Sequence, residues 1–107
     1  LKDSAYAQRR KTAKKALQTL GTLSSKRISK EALKELPPLQ RKRCGYILRE
    51  NQRVCEAKDS LRSQNIEKFG QILVEAHRDV SKNYEVSCQE LDFLVDRFLE
   101  MGAYGAR

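Results

Sequence analysis

Ile66-Glu67-Lys68-Phe69-Gly70-Gln71-Ile72-Leu73-Val74-Glu75-Ala76-His77-Arg78-Asp79-Val80, continuing to Tyr84, decides the fold class of this chain. Ile66, Phe69, Leu73, Ala76, His77, Val80 and Tyr84 recur three or four residues apart, the spacing of one face of an α-helix. Asn65 stands where a side chain can cap the first turn, so the pattern predicts a helix over about 66–83. Downstream, Ser87 and Glu90 sit three apart before an apolar run, the spacing of a capping box. A further helix is expected over about 88–101, with Leu91, Leu94, Val95, Phe98 and Leu99 inward and Gly102 ending it.

Upstream the same logic continues. Asp3 or Ser4 can cap a first helix running to about Leu20, with Tyr6, Ala13, Ala16, Leu17 and Leu20 on one face and Gly21 as its left-handed end. Residues 21–28 are polar and read as irregular. Ser29 caps a short helix over about 30–36, which Pro37-Pro38 ends, because a proline disfavours the helical conformation of the residue before it. Pro38 suits the first turn of the next helix, roughly 38–63, whose apolar line is Cys44, Ile47, Leu48, Val54, Cys55 and Leu61. Gly45 weakens that helix by roughly 1 kcal/mol relative to Ala. No segment alternates apolar and polar residues over strand length. The expected fold is all-α, about five helices in an antiparallel bundle with short connections.

A chain of 107 residues suffices for one domain and not two. Charged residues reach 34% and hydrophobic ones 39%, a balance that fits helices with wide solvated faces. No apolar run approaches the length of a membrane span or a secretory signal. Cys44, Cys55 and Cys88 are odd in number and lack C-x-x-C spacing, which argues against a disulfide framework or a structural zinc site and for a reducing, cytoplasmic setting. With one histidine, no metal site is expected. The net charge of +8 is local: Lys2, Arg9, Arg10, Lys11, Lys14, Lys15, Lys26, Arg27 and Lys30 face only Asp3, while the other bases and acids cancel.

The residues alone name no reaction. Gly102-x-x-Gly105 matches neither phosphate-loop pattern, so no nucleotide-binding loop is present. His77 lies on an apolar face and reads as packed or hydrogen-bonded rather than catalytic. Glu90 reads as a cap, and Asp92 and Asp96 as a solvated face near a helix start. The basic first helix could follow a phosphate backbone, but Tyr6 is the one aromatic near it, so a stacking surface is missing. Nucleic acid is therefore an unlikely partner, and a basic helical scaffold or nucleic-acid module stays as the reading from another class.

Three blocks, in order, resemble the galactokinase family, within the superfamily that also holds homoserine, mevalonate and phosphomevalonate kinases. The first is Asp3-Ser4-Ala5-Tyr6-Ala7-Gln8-Arg9-Arg10, similar to the family's S-x-Y-x-x-R-R. The second is Glu50-Asn51-Gln52-Arg53-Val54, then Phe69-Gly70-Gln71-Ile72-Leu73 and Ala76-His77. The third is Asn83-Tyr84-Glu85-Val86-Ser87-Cys88-Gln89-Glu90-Leu91-Asp92 with Leu94-Val95, closing in Gly102-Ala103-Tyr104-Gly105-Ala106-Arg107. Ala76 stands where the family usually has Ser, Gln89 where it often has Pro, and Gly45-Tyr46 where it commonly has Arg-His.

The resemblance implies that residues 1–107 are one helical fragment of a kinase's α+β C-terminal domain, its sheet strands lying outside the chain. It implies a parent that moves the γ-phosphoryl group of ATP to the anomeric hydroxyl of α-D-galactose, with magnesium. N-acetylgalactosamine or another sugar stays open as the acceptor. In the family the catalytic and phosphate-binding groups lie before this segment, and a second glycine-rich motif follows it, so the fragment is expected to hold no catalytic, cofactor or metal residue and to be inactive alone. One family ligand carries over, Tyr6, which contacts the sugar; a phenol can pack on a sugar face and hydrogen-bond through its hydroxyl. Alone, the fragment is expected to self-associate through the face that normally covers the sheet.

Overall fold

The protein's structure, a computed structural model, describes residues 4–21 and 28–107. Those residues form α1 (Ala5–Thr19), α2 (Lys30–Leu33), α3 (Pro38–Arg62), α4 (Ile66–Asp79), a π-helical turn (Val80–Tyr84) and α5 (Gln89–Glu100), with no strand among them. The all-α class and the five α-helices agree with the sequence. Lys2, the alternative cap Asp3, and residues 22–27, with Lys26 and Arg27 of the basic stretch, lie outside the described residues. The chain divides within α3 into two compact units, Leu1–Arg49 and Glu50–Arg107. None of the described helices is long and apolar enough to cross a membrane.

In the first unit, local signals set the ends. Ser4 Oγ accepts from the Ala7 N–H at 3.2 Å and starts α1, and Gly21 ends it with φ +71°. Ser29 Oγ accepts from the Ala32 N–H at 3.2 Å and starts α2. That helix stops at Leu33, short of the expected residue 36. Its last turn tightens, the Lys34, Glu35 and Leu36 N–H groups each bonding the carbonyl three residues back. The Arg41 guanidinium donates to the Lys34 and Leu36 carbonyls and satisfies that end. The Pro37 carbonyl accepts from the Arg41 N–H at 2.9 Å, so the prolines that close one helix also open the next. The core is Ala16, Leu36 and Cys44, with Leu20 and Leu33 packed against it. Tyr6, expected on the inward face, is exposed.

The second unit is built on polar contacts as much as on apolar ones. The expected apolar line of α3 fails in its second half: Val54, Cys55 and Leu61 are exposed. That half instead turns Arg53 inward, where its Nη2 donates to Asp79 Oδ2 of α4 at 2.7 Å; both side chains are about nine-tenths buried. Asn65 Oδ1 caps α4 by accepting from the Lys68 N–H at 3.1 Å. The α4 stripe holds at Ala76, His77 and Tyr84, but Ile66 is exposed and Ile72, absent from the stripe, is buried. Past Asp79 the helix widens by one residue per turn, the Glu85 N–H bonding the Val80 carbonyl at 2.7 Å, and Glu85 then closes it in the left-handed region at φ 56°. A repeat of three and four does not distinguish a widened turn from an ordinary one, which is why the sequence reads helix throughout.

Gly102, at φ +94°, ends α5 as expected. The Ala103 N–H returns to the Phe98 carbonyl and the Gly102 N–H to the Leu99 carbonyl, both at 3.0 Å, the double closure of a Schellman motif. This turns residues 103–107 back over α4. There the two backbones touch: a Cβ on Gly70 would overlap the Tyr104 carbonyl, and one on Gly105 would overlap the Gly70 carbonyl. Neither obstacle is a flexible side chain, so neither can swing aside. Gly70→Ala is expected to lower stability by about 1–3 kcal/mol, the range for overpacking a closed contact. A chemical-denaturation midpoint equal to that of the unaltered chain would show that the tail does not seat on α4.

Candidate functional site

Tyr6 is the second residue of α1, held at the helix start by the Ser4 cap, and is 61% exposed. Its ring therefore takes no part in the first unit's core and is presented outward. Arg9 and Arg10 follow at the three- and four-residue spacing that puts side chains beside one another on a helix.

The second unit holds a different constellation. A groove of about 580 Å³ runs along α5, with Leu91, Leu94, Val95 and Phe98 on one side and Ala103 to Arg107 of the tail on another. Of the residues expected inward on α5, only Val95 is fully buried; Leu91, Leu94 and Phe98 are about half exposed. At the groove's polar edge stand His77 and Ser87.

Asp92 gathers that edge. Its Oδ1 meets His77 Nε2 at 2.7 Å and accepts from Ser87 Oγ at 2.8 Å, while Oδ2 accepts from Ser81 Oγ at 3.0 Å. Asp92 is over a third exposed, as a solvated face requires, but it also gathers three donors, which the sequence reading does not foresee. The capping box is corrected. The residue at the helix boundary is Cys88, one position later than expected, and Ser87 spends its hydroxyl on Asp92. Glu90 closes no box; its carboxyl is held low by its own backbone N–H and by the Cys88 thiol. Asp96, read as solvated, is exposed and pairs with Arg78.

The chemistry this arrangement supports is limited. The Ser87 hydroxyl, then His77 and Ser81, hold the Asp92 carboxyl below its usual range. An ionised carboxylate can only accept, so His77 Nε2 carries the proton in their shared bond. Both serine hydroxyls donate to Asp92 rather than to His77, so His77 is not set to activate either as a nucleophile. His77, buried and hydrogen-bonded, is the packed histidine the sequence indicated. Among the described residues no group of three His, Cys, Asp or Glu side chains is placed to hold a metal ion. No step of phosphoryl transfer is assigned to these residues.

Tyr6 belongs to the first unit and the Asp92 cluster to the second. The cluster was missed because Ser81, Ser87 and Asp92 form no motif at fixed spacing. The isolated Gly70 inside a helical pattern signals a different feature, the close approach of the Tyr104–Gly105 backbone.

A carboxyl whose folded pKa is depressed adds stability that is fully present above its unfolded pKa, about 4, and lost as pH falls through the folded value. Glu50 acts in the same sense: burial pushes its carboxyl up, but hydrogen bonds from Arg107 and Arg53 outweigh that and hold it low. The chain is expected to lose stability below about pH 4. Asp92→Asn should flatten that loss, measured as denaturation midpoint against pH; an unchanged slope would exclude Asp92 as a contributor.

No family model matches the chain. Curated relatives do, along its whole length. The galactokinase of Thermococcus kodakarensis is 50% identical over 107 residues, covering 100% of this chain and 31% of the relative. That of Pyrococcus furiosus is 51% identical over 107 residues, covering 100% of this chain and 30% of the relative. That of Thermotoga neapolitana is 39% identical over 109 residues, with 100% and 31% covered. The chain thus spans about 31% of the length of the relatives it matches. On that similarity, which runs from its first residue to its last, the chain is a segment of galactokinase-family sequence.

Proposed function

We propose that this chain is the helical part of the C-terminal domain of a cytoplasmic galactokinase, which transfers the γ-phosphoryl group of ATP to the anomeric hydroxyl of α-D-galactose with magnesium. The observation that carries the reading is the 50% and 51% identity to two galactokinases over the entire chain. In this reading the segment supplies Tyr6 to the sugar, and the phosphate, metal and catalytic groups come from the rest of the parent. The outward ring at a capped helix start supports the role given to Tyr6. Phosphoryl transfer depends on several positioned elements at once, so the isolated 107 residues are inactive.

ADP release tests this. The full-length protein should release ADP with galactose, and residues 1–107 alone should release none above a mock preparation. Tyr6→Ala in the full-length protein should raise KM for galactose roughly tenfold, the equivalent of one lost hydrogen bond with its packing. ADP release with N-acetylgalactosamine but not galactose would move the assignment to that sugar. Release with neither would overturn it.

The half-exposed Leu91, Leu94 and Phe98 on one helix support the further expectation that the isolated fragment self-associates. Light scattering should give a mass that rises with concentration; a constant monomer mass would refute this.

A further inference from the structure

The backbone between α4 and α5 carries two costly features in succession. Val80–Tyr84 form the widened turn, and Glu85, which has a side chain, closes it in the left-handed region at φ 56°. Widened turns are rare, and the left-handed region is unfavourable for any residue with a Cβ. Ser81-Lys82-Asn83-Tyr84-Glu85 holds no glycine or proline that would break an ordinary helix. A backbone of this kind persists where surrounding contacts over-determine it.

Asp92 supplies such contacts at both ends of the segment. Its Oδ2 accepts from Ser81 Oγ at 3.0 Å, inside the turn, and its Oδ1 from Ser87 Oγ at 2.8 Å, two residues past Glu85. Were 81–87 a continuous helix, those six residues would advance about 9 Å and place the two hydroxyls on different sides of it. One carboxylate could not then accept from both. It does so here because the chain leaves the helix at Glu85, before α5 starts at Gln89. The bond from Asn83 Nδ2 to Asp79 Oδ1 spans four residues, a spacing that an ordinary helix also satisfies, so it does not select the widened form. Asn83, Tyr84 and Glu85 have further contacts of their own. The two serines are distinguished by ending on a single acceptor that belongs to another helix.

We propose that Asp92 is a clamp on the widened turn. By accepting from Ser81 within the turn and Ser87 beyond it, the carboxylate holds Glu85 in the left-handed region and fixes where α4 gives way to the connection into α5. When either hydroxyl is lost, the turn opens at Glu85. The device needs only contacts within the second unit and stands apart from the kinase reading.

Hydrogen–deuterium exchange of the full-length protein, resolved to single amides, tests it. The reporter is the Glu85 N–H, whose bond to the Val80 carbonyl at 2.7 Å closes the widened turn. Ser81→Ala and Ser87→Ala should each speed its exchange about tenfold, the scale of one hydrogen bond to a charged acceptor, and leave the amides around Gly70 in α4 unchanged. Asp92→Asn should speed it further. The serine variants keep both partners of the His77–Asp92 bond, so they report on the turn even where Asp92→Asn weakens the fold. Glu85 exchange within about twofold of the unaltered protein in either serine variant would overturn the proposal, because that end of the segment would not need the clamp. So would an equal rise around Gly70, which would make Asp92 a general support of the unit.

Discussion

The second unit depends on one buried ion pair. Arg53 of α3 and Asp79 at the end of α4 are about nine-tenths buried and 2.7 Å apart. Removing either partner leaves a charge in a low-dielectric setting, which typically costs about 3–5 kcal/mol. Much else in the unit is arranged around that constraint. The second half of α3 cannot direct Val54, Cys55 and Leu61 inward while Arg53 occupies its inner face, so those apolar groups are exposed. Asn83 reaches back to the second Asp79 oxygen from within the widened turn. Glu50 takes the other side of the guanidinium and presents its free oxygen to the tail. A polar centre of this kind specifies which helices meet, because only one pairing satisfies all its members.

Around that centre the unit closes by backbone contact rather than by a large apolar core. The Gly70–Gly105 approach leaves no room for a side chain on either side of the contact. Asp92 then ties α5 to His77 of α4, to Ser81 of the widened turn and to Ser87 of the connection between them. These contacts fix α5 by its start and its end, and so its apolar side need not be buried to be positioned. Leu91, Leu94 and Phe98 remain half exposed as a result.

What could be read from the sequence was local. Ser4, Ser29 and Asn65 cap helices by bonding an N–H three residues on, and Gly21 and Gly102 end helices because their φ is positive. Each signal is complete within four or five residues. The failures lie where a distant group competes for a local one. Ser87 has the spacing of a cap, but Asp92 takes its hydroxyl and the helix begins one residue later. Leu61 and Val54 have helical spacing, but a buried guanidinium sets the rotation of the helix. The widened turn after Asp79 leaves the apolar period nearly intact, so periodicity cannot expose it. Spacing alone places Tyr6 with the core, yet its ring is outward.

The blocks that carry the resemblance can now be given physical content. Glu50 and Arg53 belong to the second block and pair with each other, with Arg107 and with Asp79. Gly70 and His77, from the same block, supply the backbone seat and the donor to Asp92. Ser87, Asp92, Gly102, Gly105 and Arg107, from the third, complete the cluster, the terminal turn, the close backbone contact and the ion pair with Glu50. None of these side chains is set up for nucleophilic attack or for holding a metal ion. The residues that make the chain recognisable are those that make the second unit fold one way. A sequence signature can therefore be carried by residues whose contacts are structural. Its specificity comes from buried charges, close backbones and shared acceptors, for which few substitutes exist.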